Sequence, residues 1–166
     1  MVKGVNEYID QVAQQLHDKW ADLISQGAGM IGIRNGGVWV AQELHRRLKP
    51  SLPLGTLDIS FYRDDFSRVG LNPQVKPSQI PFAVEDRPII LVDDVLQTGR
   101  TIRAAMNKIF DYGRPSRIVL VCLLQLPGRE LPIQADVLGE QVQLPANQRV
   151  KLLGPAPLKF EIITIG

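Results

Sequence analysis

The stretch "IILVDDVLQTGRTIRAAMNKIF", residues 89–110, constrains the fold of this chain more than any other. It begins with a continuous apolar run, which is typical of a strand buried on both faces of a parallel sheet. Two adjacent acids, Asp93 and Asp94, end this run, and a turn that contains Gly99 follows. Apolar side chains then recur at helical spacing, at Ile102, Ala105, Met106, Ile109 and Phe110. The order of strand, acid pair, turn and helix predicts one unit of an α/β fold.

The rest of the chain continues this alternation. Apolar spacing predicts a helix over about residues 4–25, a strand at 29–33, a second helical segment from Val38, and strands at 52–62 and 117–125. Short β-like pieces follow Pro132. We therefore predict an α/β fold, a mostly parallel twisted sheet flanked by helices, in a single domain over residues 1–166. Residues 63–81 are polar, broken by Pro and Gly, and too long for an ordinary connection, so we expect a functional or mobile loop there.

Composition narrows the class of protein. The apolar fraction of 45% and the charged fraction of 22% are those of a globular chain. A net charge of +2 is too small to indicate nucleic-acid binding by itself. No apolar run approaches the roughly 18 residues of a membrane span, and the only cysteine, Cys122, excludes a disulfide framework. The segment "MVKGVNEYID" lacks the apolar region of a signal peptide, which favours the cytoplasm.

The acid pair and the turn after it suggest a binding site. Ligands of parallel α/β sheets bind beyond the carboxyl ends of the strands, and two ionised carboxylates cannot share an apolar core. We therefore expect Asp93 and Asp94 to face solvent or a ligand. Helix N-terminal amides with the hydroxyls of Thr98 and Thr101 would form a phosphate cradle, and Gly99 would allow close approach. Such a site suits a ribose 5-phosphate, because the two acids would accept hydrogen bonds from the ribose hydroxyls.

The alternative is an acidic strand end followed by a capping threonine, with no ligand. It would be preferred for an isolated Asp-Asp or Thr-Gly pair. Here the buried strand, the paired acids, the glycine turn and the helix occur in one continuous run, which favours the binding site.

This run resembles the signature of the type I phosphoribosyltransferases: two apolar residues, two acids and a Thr-Gly turn. "ILVDDVLQTGRTIRAA" is most similar to the version in the pyrimidine-operon attenuator family, regulators that are also uracil phosphoribosyltransferases. "IGIRNGGVWVAQEL", "LDISFYRDDF", "DYGRPSRI" and "RELPIQAD" resemble other segments of that family, in the same order along the chain. The resemblance implies the type I phosphoribosyltransferase fold, with a mobile loop and a hood segment.

The resemblance also implies a reaction and a set of residues. Such enzymes transfer the ribosyl group of 5-phosphoribosyl 1-diphosphate to a base, with Mg²⁺ bound through the diphosphate and the ribose, so no protein-only metal site is expected. Asp93 and Asp94 would hold the ribose hydroxyls, and Arg63 would close over the diphosphate. The 5-phosphate would be held, chiefly by backbone amides, at Thr98, Gly99, Arg100 and Thr101. The diphosphate loop, which often includes a cis peptide bond, would be Arg34, Asn35 and Gly36.

The chain departs from this family at three places. Asn35 replaces a more usual Thr, and Gln97 replaces a common Tyr, which we interpret as a surface change. Relatives typically read Val-Asp-Arg-Gly-His-Arg-Glu-Leu-Pro near the base, whereas residues 124–132 read "LQLPGRELP". The resemblance implies uracil as acceptor and UMP as product. Two alternatives remain open: a transferase for another base, and a non-catalytic UMP-sensing regulator that binds RNA.

The resemblance further implies an mRNA leader as partner and a homodimer or higher homo-oligomer, without any membrane. The side chains that would contact RNA phosphates are Arg46, Arg47, Lys49, Arg114, Arg117 and Arg129. The segment "HRRLK", residues 45–49, ends a predicted helix, where cations are favourable without any RNA.

Overall fold

The computed structural model describes residues 2–60 and 78–165. Their helices are α1 (Val5–Ser25), α2 (Gly36–Leu48) and α3 (Arg100–Phe110). Their strands are β1 (Gly29–Ile33), β2 (Gly55–Leu57), β3 (Pro88–Leu96), β4 (Arg117–Gln125), β5 (Val137–Gln141), β6 (Gln148–Leu153) and β7 (Lys159–Thr164). Nearly all of these elements coincide with a segment that the apolar periodicity predicts.

The main sheet has the strand order β2-β1-β3-β4-β5, and its neighbouring strands are all parallel. The chain leaves β1 toward β2 on one side and then crosses to β3 on the other. The carboxyl ends of β1 and β3 therefore flank the point where the order reverses, which is where ligands bind in sheets of this kind. Strands β6 and β7 form a separate antiparallel pair.

Apolar side chains fill both faces of the sheet. On one face, Ile90 and Val92 of β3 pack with α1 and α2, whose Tyr8, Ile9 and Leu44 are fully buried. On the other face, the intervening residues of β3 pack with α3. This alternation follows from the two-residue period of a strand, and it confirms a mostly parallel sheet flanked by helices. None of the helices in the described ranges is long and apolar enough to span a membrane.

Two strands differ in length from the prediction. Strand β2 has only three residues, because Asp58 accepts hydrogen bonds from the amide and the hydroxyl of Ser60, at 2.9 and 2.6 Å, and turns the chain out of the sheet. Strand β3 continues past the acid pair to Leu96, which pairs with Gln125 of β4. Asp93 and Asp94 therefore lie within the strand, a few residues before its end.

Smaller differences concern a helix end, one side chain and the long loop. Helix α2 begins at Gly36 rather than Val38, and Phe110 is 56% exposed although it fits the apolar period of α3. Residues 63–77 of the predicted loop lie outside the described residues. The end of that segment is paired, because Gln79 exchanges two backbone hydrogen bonds with Thr56, at 2.7 and 2.9 Å.

Candidate active site

The acid pair of β3 is held by its own backbone. Asp93 is only 6% exposed, and its Oδ1 accepts the amide N–H of Asp94 at 2.9 Å. Asp94 is partly exposed, and its Oδ1 accepts the amide N–H of Val95 at 2.8 Å. We expected both acids to face solvent or a ligand. For Asp93, burial excludes solvent. A carboxylate is tolerated in so buried a position because it is hydrogen-bonded.

The two carboxylates also act on Cys122, which pairs with Asp93 across β3 and β4. Burial, and then the negative charges of Asp93 and Asp94, raise the pKa of the Cys122 thiol well above its ordinary range. The thiol is therefore protonated at neutral pH, and it is a core side chain rather than a nucleophile.

The loop after β1 lies directly against the acid pair. A Cβ atom added to Gly36 would overlap the Oδ2 atom of Asp94, and one added to Gly37 would lie 2.6 Å from the carbonyl oxygen of Val92. Only glycine therefore allows the start of α2 to approach β3 so closely. The peptide bond between Arg34 and Asn35 is cis.

Arg34 points along the loop toward β2. Its Nη2 donates to the hydroxyl of Thr56 at 3.1 Å, and its backbone N–H donates to the carbonyl of Leu57 at 3.0 Å. Its Nε is buried and has no hydrogen-bond partner within residues 2–60 and 78–165. A buried guanidinium N–H that lacks a protein acceptor is suited to an anionic ligand.

The turn after β3 has the geometry of an anion-binding helix start. Gly99 caps α3 with a φ of 93°, a conformation that favours glycine. The hydroxyl of Thr98 accepts the amide N–H of Arg100 at 3.1 Å. The other first-turn amides have no carbonyl partner within the helix. This turn borders a cavity of about 240 Å³, lined by residues 95–99, 101 and 102, which we call the phosphate cavity.

A later segment, residues 126–133, packs along this turn, and we call it the strap. The amides of Glu130 and Leu131 donate to the carbonyl of Thr98 at 3.0 and 3.1 Å. The Glu130 carboxylate accepts from the Nε of Arg100 at 2.7 Å, and both side chains are about half exposed. The strap therefore fixes the turn from outside, and Glu130 engages the guanidinium of Arg100.

The structure brings most of the predicted site residues together. The loop of Asn35 and Gly36 meets Asp94, and the turn from Thr98 to Thr101 follows on the same strand. Arg34 lies one strand away, against Thr56, and Arg63 lies outside the described residues. No group of three or more His, Cys, Asp or Glu side chains that could hold a metal ion occurs in the described part of the chain.

Two residues of the site have no signal in the sequence. Thr56 holds Arg34 from 22 positions away, and Glu130 holds Arg100 from 30 positions away. Glu130 lies in "RELPIQAD", a segment that resembles the family. That resemblance predicts a later segment of the fold but not the contact of Glu130 with Arg100.

Comparison with known proteins agrees with this geometry. A family model described as "Phosphoribosyl transferase domain" matches residues 2–151. A "Bifunctional protein PyrR" of Pseudomonas putida is 63% identical over 155 residues, covering 93% of this chain and 90% of that protein. One of Nitrosococcus oceani is 56% identical over 161 residues, covering 96% and 91%. The chain belongs to the PyrR family of phosphoribosyltransferases.

Solved structures outside the PyrR family share the fold. A hypoxanthine phosphoribosyltransferase of Staphylococcus aureus has a TM-score of 0.66 at 19% identity. The matched region covers 86% of this chain and 77% of that protein's chain. A purine phosphoribosyltransferase of Pyrococcus horikoshii has a TM-score of 0.62 at 22% identity, with coverage of 83% and 82%. The predicted type I phosphoribosyltransferase fold is thereby confirmed.

Proposed function

We propose that this protein transfers the phosphoribosyl group of 5-phosphoribosyl 1-diphosphate to uracil, and that it regulates pyrimidine biosynthesis genes in response to UMP. One observation carries the catalytic part: the glycine loop after β1 meets the acid pair of β3 at the reversal of strand order. Membership of the PyrR family supports both parts.

The reaction forms a bond between C1 of the ribose and a ring nitrogen of the base, while the bond from C1 to the diphosphate breaks. The ring nitrogen releases its proton to solvent water, and the diphosphate leaves with the bonding electrons. Positive charge develops on the ribose, so catalysis consists mainly of positioning and electrostatic stabilisation. Asp94, the more exposed acid, and the neighbouring Asp93 accept hydrogen bonds from the ribose hydroxyls. The turn of Thr98 and Gly99 holds the 5-phosphate.

The diphosphate is assigned to the loop of Arg34, Asn35 and Gly36. The buried Nε of Arg34 supports this assignment, because an anionic oxygen is the acceptor it lacks among the described residues. Arg63 is assigned to closure over the same group, on the resemblance alone.

Magnesium fits this site as an ion carried by the substrate. Mg²⁺ prefers oxygen ligands and keeps several from water or phosphate, and the described site offers two adjacent carboxylates rather than a cluster. Bound to the ribose and diphosphate oxygens, the ion would neutralise charge on the leaving group. Asp93 and Asp94 would orient it through the ribose.

The regulatory part needs a second surface. Because α2 runs antiparallel to the strands, Lys49 lies at the amino-terminal edge of the sheet, opposite the phosphate cavity, and so does Arg114, which precedes β4. An mRNA leader bound at that edge would leave the substrate cavity open. We assign the protein to the cytoplasm because such leaders are found there, and we expect a homodimer or higher homo-oligomer.

Turnover of purified protein tests the catalytic proposal. Uracil, 5-phosphoribosyl 1-diphosphate and Mg²⁺ should yield UMP and diphosphate in equal amounts. A panel of other bases should give lower kcat/KM values. Higher kcat/KM with another base would make the protein a transferase for that base, and UMP binding without turnover would make it a non-catalytic sensor.

A further inference from the structure

Arg34 is anchored to the neighbouring strand β2 at two points. Its backbone N–H donates to the carbonyl of Leu57 at 3.0 Å, and its Nη2 donates to the hydroxyl of Thr56 at 3.1 Å. A guanidinium is planar and rigid, so holding one of its nitrogens restricts the directions of the other N–H groups. The contact with Thr56 therefore limits the orientation of the whole guanidinium.

Thr56 is itself a fixed acceptor, because β2 is paired on both sides at this residue. On one side Thr56 lies opposite Gly32 of the parallel strand β1. On the other side it exchanges two backbone hydrogen bonds with Gln79, at 2.7 and 2.9 Å. A β-branched side chain also has a restricted χ1 angle. The hydroxyl therefore stays in place, and the Arg34 side chain adapts to it.

The contact leaves Arg34 able to bind an anion. Its Nε is buried and has no hydrogen-bond partner within the described ranges 2–60 and 78–165. Because Thr56 accepts through a neutral hydroxyl rather than a carboxylate, the guanidinium keeps its positive charge. Hydrogen bonds between a guanidinium and phosphate oxygens are strong because both partners are charged. Thr56 thus orients the group without neutralising it.

The loop after β1 makes its two contacts on opposite sides of that strand. Gly36 lies against Asp94 of β3, and Arg34 lies against Thr56 of β2. The acid pair is assigned to the ribose and Arg34 to the diphosphate. A change at Thr56 should therefore affect binding of the diphosphate and spare binding of the ribose.

We propose that Thr56 is a positioning residue for the diphosphate: its hydroxyl fixes the Arg34 guanidinium so that the buried Nε faces the leaving group. This inference rests on the proposed transferase function. Thr56 acts through Arg34 and contacts no reacting atom, so its hydroxyl neither gains nor loses a proton in the reaction.

Titration calorimetry of a double-mutant cycle tests the inference. The variants are Thr56→Val, Arg34→Ala and the two together, and the ligands are diphosphate with Mg²⁺ and, separately, ribose 5-phosphate. Valine keeps the branched shape and removes the hydroxyl, so Thr56→Val should weaken diphosphate binding roughly three- to tenfold. Added to Arg34→Ala, the same substitution should change it less than about twofold, since its effect passes through Arg34. Binding of ribose 5-phosphate should be unchanged in Thr56→Val.

Two further variants separate positioning from a structural role. Thr56→Ser restores the hydroxyl and should restore diphosphate binding. Thr164→Val is the matched control, because Thr164 is an exposed threonine of β7, in the separate antiparallel pair. In steady-state kinetics Thr56→Val should raise the KM for 5-phosphoribosyl 1-diphosphate and leave the KM for uracil unchanged. Circular dichroism checks the fold, and Thr56→Ala replaces Thr56→Val in the cycle if the valine variant does not fold.

The outcomes separate this inference from the proposed function. If the wild type makes UMP but Thr56→Val binds diphosphate as the wild type does, the inference is overturned and the function stands. Equal weakening of both ligands, or an undiminished effect in the Arg34→Ala background, also overturns it. If the wild type makes no nucleotide from any base, the transferase function fails, and the diphosphate cycle still decides. Coupling of Thr56 to Arg34 then supports the positioning role, and its absence overturns that role.

Discussion

Gly36 occupies a position that no side chain fits, since a Cβ atom there would overlap the carboxylate of Asp94. We predict that Gly36→Ala weakens binding of 5-phosphoribosyl 1-diphosphate at least about tenfold, because either the loop or the carboxylate must shift, with the loss of a hydrogen bond to a charged group. Titration calorimetry measures this change.

Gly4→Ala is the control for that substitution, because the nearest atom to a Cβ there is a side-chain oxygen of Glu7 at 3.9 Å. It should bind like the wild type. If Gly36→Ala bound 5-phosphoribosyl 1-diphosphate as tightly as the wild type, the loop would not be part of the binding site for that substrate.

The sequence predicts which residues lie together at the candidate site better than it predicts their contacts. Asp93, Asp94 and the turn from Thr98 follow from one continuous pattern, since strand, acids and helix start are adjacent in the chain. The partners of Arg34 and Arg100 do not, because Thr56 and Glu130 reach them only through strand order and the path of the strap. The sequence does not predict the burial of Asp93 either, because the hydrogen bond that its carboxylate accepts from the next amide depends on local geometry.

Among the larger elements, the strap holds the turn after β3 through Glu130. We predict that Glu130→Gln raises the KM for 5-phosphoribosyl 1-diphosphate about two- to fivefold, since a half-exposed ion pair contributes only about 0.2–1 kcal/mol. The kcat should change less than about twofold, because the amide of Glu130 still donates to Thr98. Initial rates over a range of substrate concentrations give both constants.

Glu43→Gln is the matched control, because Glu43 pairs with Arg46 at 2.8 Å on the surface of α2, away from the turn. A positioning role for Glu130 predicts that only its own substitution moves the KM and that Glu130→Asp partly restores it. Identical KM values in Glu130→Gln and Glu43→Gln would refute that role.

A buried tyrosine hydroxyl is one of the side-chain groups of α1 that form hydrogen bonds with β5. Tyr8 is fully buried, and its hydroxyl donates to Glu140 at 2.5 Å and accepts the amide of Lys3 at 2.9 Å. We predict that Tyr8→Phe lowers the free energy of unfolding by about 1 kcal/mol at pH 7. Urea denaturation followed by circular dichroism measures the difference.

The pH dependence of that difference follows from the titration of Tyr8. Burial, and then the hydrogen bond to Glu140, raise the pKa of Tyr8 above its ordinary value of 10.0. The folded state therefore favours the protonated hydroxyl, so the contribution is complete below pH 10.0 and is lost as the pH rises toward the folded pKa. A difference that grows above pH 10.0 would contradict this assignment.

The elements themselves follow from periodicity wherever packing and pattern agree. Helix α1 and strands β1 and β4 lie within a residue or so of their predictions, because their apolar residues are also the buried ones. Strand β2 is shorter because the side chain of Asp58 turns the chain, and β3 is longer because its pairing with β4 extends past the acids. Both differences come from hydrogen bonds that an apolar period does not record.

At the scale of the whole molecule, strand order creates the site. Alternating strands and helices predict a parallel sheet, but many orders of its strands are compatible with the same pattern. The order that places β1 beside β3 brings the glycine loop to the acid pair. The contact between Gln97 and the strap also depends on this tertiary arrangement. The alternation of strands and helices in the sequence therefore does not predict it.

Lys49 and Arg114 lie at the edge of the sheet to which the leader RNA is assigned. Lys49→Ala with Arg114→Ala should weaken binding of a pyrimidine-operon leader RNA and reduce its salt dependence by about one to two phosphate contacts. UMP formation should be unchanged, since both side chains lie at the edge opposite the phosphate cavity. Filter binding at two salt concentrations measures this, and unchanged RNA affinity would place the RNA elsewhere.

The role of the acid pair is tested by the rate of UMP formation in wild type, Asp94→Asn and Asp18→Asn, with uracil, 5-phosphoribosyl 1-diphosphate and Mg²⁺. Asp18, an exposed acid of α1 that accepts from Gln14 at 2.8 Å, is the control. If the acid pair holds the ribose, Asp94→Asn should lose about a hundredfold or more in kcat/KM, with the wild-type fold in circular dichroism. Asp18→Asn should match the wild type. Wild-type turnover in Asp94→Asn would contradict the account.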